Sequence, residues 1–189
     1  RTLNKTEQCA LRDWTRVHGD RRFRPTQLQL RYPRVNCKNY CDIKFGPCRS
    51  LEGNTCLAVY ATRFQWAKAY PLTEERKVHH SLSYLFRDIG FPNALIPDSA
   101  TSLTRGEFKK VASKAQVPIY PLEPFNPNQS TAEDMIREGT RLYQRFMTGR
   151  NIPKLLWDRV FIYCLEIRSH MALGHPMQNG ECGTTIIQG

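Results

Sequence analysis

Three acids stand where phosphate chemistry can be placed: Asp42, Asp98 and Glu133. Asp42 lies in an alternating run in which Cys41, Ile43 and Phe45 interleave with Tyr40, Asp42 and Lys44, which predicts a strand with its carboxylate turned from the apolar side. Asp98 sits just past Ala94-Leu95-Ile96, a short buried strand. Glu133 opens a helix: after the Pro/Asn-rich loop Pro124-Phe125-Asn126-Pro127-Asn128, the apolar residues Ala132, Met135, Ile136, Leu142, Tyr143 and Phe146 recur at helical spacing. Arg137, Arg141, Gln144 and Arg145 share the face of Glu133, so a metal-binding carboxylate and guanidinium groups for a nucleic-acid backbone stand on one helix face.

Three carboxylates gathered at one sheet edge repel one another unless divalent cations lie between them. Hard oxygen donors without His favour Mg²⁺ or Mn²⁺ over zinc. Two such ions about 4 Å apart stabilise the attacking and leaving oxygens of an in-line phosphoryl displacement. Each acid also has a plain structural reading. Asp42 can be a solvent-facing strand residue and Asp98 a turn former before Ser99. Glu133 can close a capping box with Ser130, in the pattern Ser130-Thr131-Ala132-Glu133. Periodicity and spacing do not choose between these readings and a metal site.

The elements that must position the acids follow from the period of the apolar residues. Strands are expected in the period-two run that begins at Asn36 and includes residues 40–45, and at Cys56–Ala61, Gln65–Tyr70, Ala94–Ile96 and Val117–Tyr120, the first three as an antiparallel meander. Thr73 is expected to cap a helix carrying Val78, Leu82, Leu85, Phe86 and Ile89, stopped by Gly90. Thr104 through Glu107 caps another, with Phe108, Val111, Ala112 and Ala115 inward, and a last helix follows Pro153. The order is βββαβαβ and then two helices.

Composition bounds the partners. The 189 residues carry a net charge of +11, with nine Lys/Arg against three acids in residues 1–35 alone. A basic arm, 1–35, containing Arg21, Arg22 and Arg24, precedes a core, 36–149, and a C-terminal helix and tail, 150–189, packed on the core. The arm reads equally as a solvated tail or as a phosphate-contacting segment. The charge points to a polyanion, nucleic acid in preference to membrane, because no segment approaches a membrane span and no basic amphipathic helix carries an aromatic face. The sequence begins at Arg1 without Met or an apolar leader and is expected to be a fragment or processed product. The seven Cys form no C-x-x-C pair, so Cys37, Cys41, Cys48 and Cys56 read as reduced thiols of an intracellular protein before they read as a zinc site.

Several phrases in fixed order carry a family resemblance. They are Asn54-Thr55-Cys56-Leu57-Ala58-Val59-Tyr60, Tyr70-Pro71-Leu72, Gly90-Phe91-Pro92-Asn93 before Asp98, and Gly106-Glu107-Phe108. Glu123-Pro124-Phe125-Asn126-Pro127-Asn128-Gln129 before Glu133, and Leu156-Trp157, complete the set. From about Asn39 to Gly189 the chain resembles an integrase catalytic core, most of all the integrases of copia-type LTR retrotransposons. Departures from the family include Ser99 after the second acid where Gly is frequent, the 34 residues between Asp98 and Glu133, and Cys182-Gly183 where a Pro-containing segment is expected.

The resemblance implies a ribonuclease-H-like α/β fold with a five-stranded mixed sheet, its first three strands antiparallel, flanked by helices. It implies that Asp42, Asp98 and Glu133 bind two Mg²⁺ or Mn²⁺ ions. Gln129 would approach the DNA ends, and Arg137 and Arg141 belong to the basic face of the catalytic helix. The expected activity is 3′-end processing and strand transfer of retroelement DNA into target DNA, by a homodimer or higher oligomer. The expected place is the nucleus, with a cytoplasmic stage before import. The alternative is a decayed or domesticated core that only binds nucleic acid or a protein partner. Trp66 and Trp157 read as core or dimer-interface residues before they read as base-stacking platforms.

Overall fold

A computed structural model describes residues 33–98, 101–122, 131–171, 178 and 180–188. Strands β1 (Arg34–Phe45), β2 (Cys56–Ala61) and β3 (Ala67–Leu72) are followed by a short 3₁₀ turn (Glu75–Lys77) and helix α1 (His79–Asp88). Then come β4 (Phe91–Pro97), α2 (Thr101–Thr104) and α3 (Gly106–Lys114). The long helix α4 (Thr131–Arg150), a 3₁₀ turn (Lys154–Leu156), α5 (Trp157–His170) and α6 (Gly183–Gln188) complete the order. No helix of the described residues is long and apolar enough to cross a membrane.

The sheet order is β3-β2-β1-β4, with β1–β2 and β2–β3 antiparallel and β1–β4 parallel. The antiparallel meander is therefore present, and the parallel pair brings the two Asp-bearing strands side by side. Pro71 lies in β3, where it is tolerated because β3 is an edge. The expected fifth strand is reduced to one parallel bridge, Leu95 to Ile119. Its backbone still follows β4, since Leu95 N–H donates to the Pro118 carbonyl and Tyr120 N–H to the Leu95 carbonyl, each at 2.9 Å. Pro118 and Pro121, which lack amide hydrogens, keep this segment from extending the ladder.

Both faces of the sheet are covered. Tyr60, Leu82, Leu85, Phe86, Phe91, Leu95 and Phe108 form the core on the side of α1 and α3. Tyr40, Leu57, Val59, Met135, Trp157, Phe161 and Leu165 form the core under α4 and α5. The consecutive residues Tyr40 and Cys41 belong to opposite cores, as strand alternation requires. The side of Tyr40, Asp42 and Lys44 is thus a helix-covered face and not the solvent face that alternation alone suggested.

Two expected helix caps are not made. The Thr73 hydroxyl is 3.2 Å from Lys77 Nζ, and the chain passes through a 3₁₀ turn before α1 starts at His79 without a side-chain cap. Thr104 ends α2 instead of capping the next helix, because Gly106 at φ +62° breaks the run before α3. Gly90 does end α1: its φ is +99°, its amide donates to the Phe86 carbonyl at 3.0 Å, and a Cβ there would strike the Pro33 carbonyl.

Candidate carboxylate site

Parallel pairing of β1 with β4 fixes the first two acids. Cys41 stands opposite Pro97, and the Asp98 amide donates to the Cys41 carbonyl at 3.0 Å. One step further in that register places Asp98 beside Asp42. Asp42 is half-buried, and its Oδ1 accepts the Ile43 amide at 2.6 Å. Glu133 lies in the first turn of α4, which is seated on the sheet by Ala132 and Met135 on either side of it in sequence. Further along, Gly139 lets α4 approach α5 closely, since a Cβ there would stand 2.8 Å from Leu165 Cδ2.

Electrostatics ties the three acids together. Burial pushes the Asp42 carboxyl above its ordinary value of 3.8, the Ile43 amide partly offsets this, and the charges of Asp98 and Glu133 push it further up. Three elements thus deliver hard oxygen donors whose mutual repulsion a divalent cation relieves, and in this respect the residues fit Mg²⁺ or Mn²⁺. Among the described residues, no three His, Cys, Asp or Glu side chains already stand as a closed ligand set.

The basic face of α4 is partly neutralised by its own helix. Arg137 pairs with Asp134 at 2.5 Å and Arg141 with Glu138 at 2.6 Å, both across one turn. Arg145 is exposed and makes no ion pair among the described residues. Gln129, Arg21, Arg22, Arg24 and the capping candidate Ser130 lie outside the described residues.

The cysteines expected as buried thiols divide by position. Cys37, Cys41, Cys56 and Cys164 are buried, whereas Cys48 is exposed. Burial pushes the Cys37 and Cys164 thiols up to about 11, away from the reactive thiolate. Trp66 and Trp157 are core residues, 3% and 1% exposed, so neither is a stacking platform.

A polar node beyond the end of β1 escaped the sequence. Asp158, only 2% exposed, accepts Asn54 Nδ2 at 2.8 Å and the Arg159 amide at 2.9 Å. The Leu51 amide donates to the Leu155 carbonyl at 2.8 Å, and the Trp157 indole occupies the space a Cβ on Gly46 would need. These links clamp the β1–β2 connection to the start of α5. In sequence Asp158 is indistinguishable from an ordinary first-turn acid.

No protein-family model matches the sequence, and no curated protein matches it. Solved structures do match. A chain of the simian T-cell lymphotropic virus intasome in complex with PP2A regulatory subunit B56 gamma superposes with a TM-score of 0.66 at 17% identity. That match covers 84% of this chain and 59% of the other. The HTLV-2 integrase catalytic core domain in complex with magnesium, in its trimeric form, gives 0.61 at 14% identity over 82% of this chain and 97% of that one. The BIV integrase catalytic core domain gives 0.60 at 13% identity over 79% and 92%. The fold is ribonuclease-H-like α/β. Its structural neighbours are retroviral integrase catalytic cores, and at these identities the likeness concerns the fold alone.

Proposed function

We propose that this chain is the catalytic core of a DNA-processing polynucleotidyl transferase of the integrase type, from a copia-like LTR retrotransposon. The observation that carries the reading is the Asp42 carboxyl, opposed by the charges of Asp98 and Glu133 at one end of an integrase-core sheet. Asp42, Asp98 and Glu133 would hold two Mg²⁺ or Mn²⁺ ions. When bound, such ions supply Lewis-acid stabilisation of the charge that develops on phosphoryl oxygens.

The chain's own residues supply position. β1 and β4 hold Asp42 and Asp98 in register, and α4 brings Glu133 to them on a helix fixed by Met135 and Gly139. Arg137, Arg141 and Arg145 orient backbone phosphates along α4, with Gln129, Arg21, Arg22 and Arg24 as further DNA contacts. In the first reaction water attacks a phosphodiester near the 3′ end, one P–O bond forms, another breaks, and a 3′-hydroxyl is freed. In the second that hydroxyl attacks a target phosphodiester with the same balance. The reading includes a homodimer or higher oligomer acting in the nucleus.

A second reading, a core that binds DNA or a protein partner without catalysis, is favoured by one observation: the three acids do not yet form a closed donor set among the described residues. An assay of oligonucleotide cleavage and joining separates the two. With Mn²⁺, the wild type is expected to shorten labelled 3′ ends and join them to a second duplex, and Asp42→Asn, Asp98→Asn and Glu133→Gln are each expected to abolish both products. DNA binding with no product from the wild type would establish the second reading.

A further inference from the structure

Lys38, Tyr40 and Asp42 alternate along β1 and so share one face of the sheet. At Tyr40 and Lys38, away from Glu133, this face opens into a cavity of about 260 Å³ whose walls include Asn36, Lys38, Tyr40, Arg63 and Asn93. Among the described residues its charged lining groups are both cations, with no Asp or Glu. Neither Lys38 nor Arg63 makes an ion pair among the described residues, whereas Arg76, Arg87, Arg137, Arg141 and Arg159 all do.

Arg63 is aimed by its neighbour. Its Nε donates to the Tyr40 hydroxyl at 2.8 Å, and its guanidinium carbon stands 5.8 Å from the Tyr40 ring centroid. The terminal nitrogens of the fork remain for an oxyanion that can accept two parallel bonds. Asn93 Nδ2 donates to Asn36 Oδ1 at 2.7 Å, which fixes the amide side of the cavity and leaves the Asn36 amide hydrogens as additional donors. An ammonium, a preset guanidinium and amide donors without an acid are the chemistry of a phosphate site. By strand rise, Lys38 lies about 13 Å along β1 from Asp42.

We propose that this pocket binds a phosphodiester of the same strand whose reacting phosphate lies at Asp42, about two nucleotides away. The proposal rests on the DNA-processing reading above. It assigns Lys38 and Arg63 as strand-positioning residues and Tyr40 as the group that orients Arg63. Free inorganic phosphate presents the same chemistry and is the competing source.

Binding of a labelled single-stranded oligonucleotide, followed by fluorescence anisotropy in EDTA over a range of KCl concentrations, tests the pocket without metal or catalysis. The Lys38→Gln/Arg63→Gln variant is expected to lower the magnitude of the log–log salt slope by about 0.7, the loss of one phosphate contact on a single strand. Tyr40→Phe, which leaves the charge unchanged, is expected to weaken binding about 3- to 10-fold by releasing Arg63. Lys109→Gln, on α3 across the sheet, is the control for charge alone. Oligonucleotide binding that the double variant loses no more than Lys109→Gln does overturns the pocket and leaves the DNA-processing reading standing. Binding of inorganic phosphate at the pocket by a wild type that binds no oligonucleotide overturns both.

Discussion

The Asp98 amide donates to the Cys41 carbonyl at 3.0 Å, which carries the β1–β4 pairing one residue past the end of β4 and sets Asp98 alongside Asp42. The second acid is thereby tied to β1 through its main chain. Substituting the carboxylate leaves that bond in place, so Asp98→Asn removes charge and keeps this main-chain link.

Asp42 makes the metal-free protein less stable as its carboxyl ionises. Its folded pKa lies above the ordinary value, so the folded state holds the proton more tightly than the unfolded chain. Stability in EDTA is therefore expected to fall as pH rises from about the ordinary Asp value through the raised one. Asp42→Asn removes this loss, and its melting temperature at pH 7 in EDTA is expected to exceed that of the wild type. A lower melting temperature would show that the Asp42 charge is stabilised in the fold.

Asn54→Ala leaves the buried Asp158 carboxylate without its side-chain donor. The expected cost is about 2–3 kcal/mol, read as a lower urea midpoint at unchanged m. A change below about 0.5 kcal/mol would mean that the node does not hold the β1–β2 connection.

Gly46→Ala forces a methyl into the space of the Trp157 ring, which is rigid and fully buried. Overpacking of this kind costs about 1–3 kcal/mol or more, and thermal unfolding followed by Trp fluorescence measures it.

The α4 ion pairs are exposed and contribute little to stability, so Asp134→Asn and Glu138→Gln are each expected to change it by less than about 0.5 kcal/mol. Each frees a guanidinium, and DNA affinity at low salt is expected to rise with a steeper salt dependence. Unchanged affinity in both would remove Arg137 and Arg141 from the DNA-contacting face.

Apolar period made β2, α1, α4 and α5 legible, because their stripes are long and uninterrupted. The start of β1 was hidden: Arg34 and Val35 read as the end of a basic arm, and the pairing with β4 shifts register between Val35 and Lys38. The Thr73 and Thr104 caps failed because a 3₁₀ turn precedes α1 and Gly106, at positive φ, sets the start of α3. For the site, the three acids and their separate elements could be named from spacing. The placing of Asp98 beside Asp42 could not, since it depends on a parallel register between residues more than fifty positions apart. The Lys38–Arg63 pocket was silent for the same reason, as its cations come from neighbouring strand ends.

If Asp42, Asp98 and Glu133 jointly hold divalent metal, calorimetric titration of Mn²⁺ into the wild type and into Asp98→Asn reads it. Saturable binding at millimolar affinity or tighter is expected in the wild type and is lost in Asp98→Asn, with both proteins equally folded by circular dichroism. Equal heats from the two proteins, or none from the wild type, would contradict it.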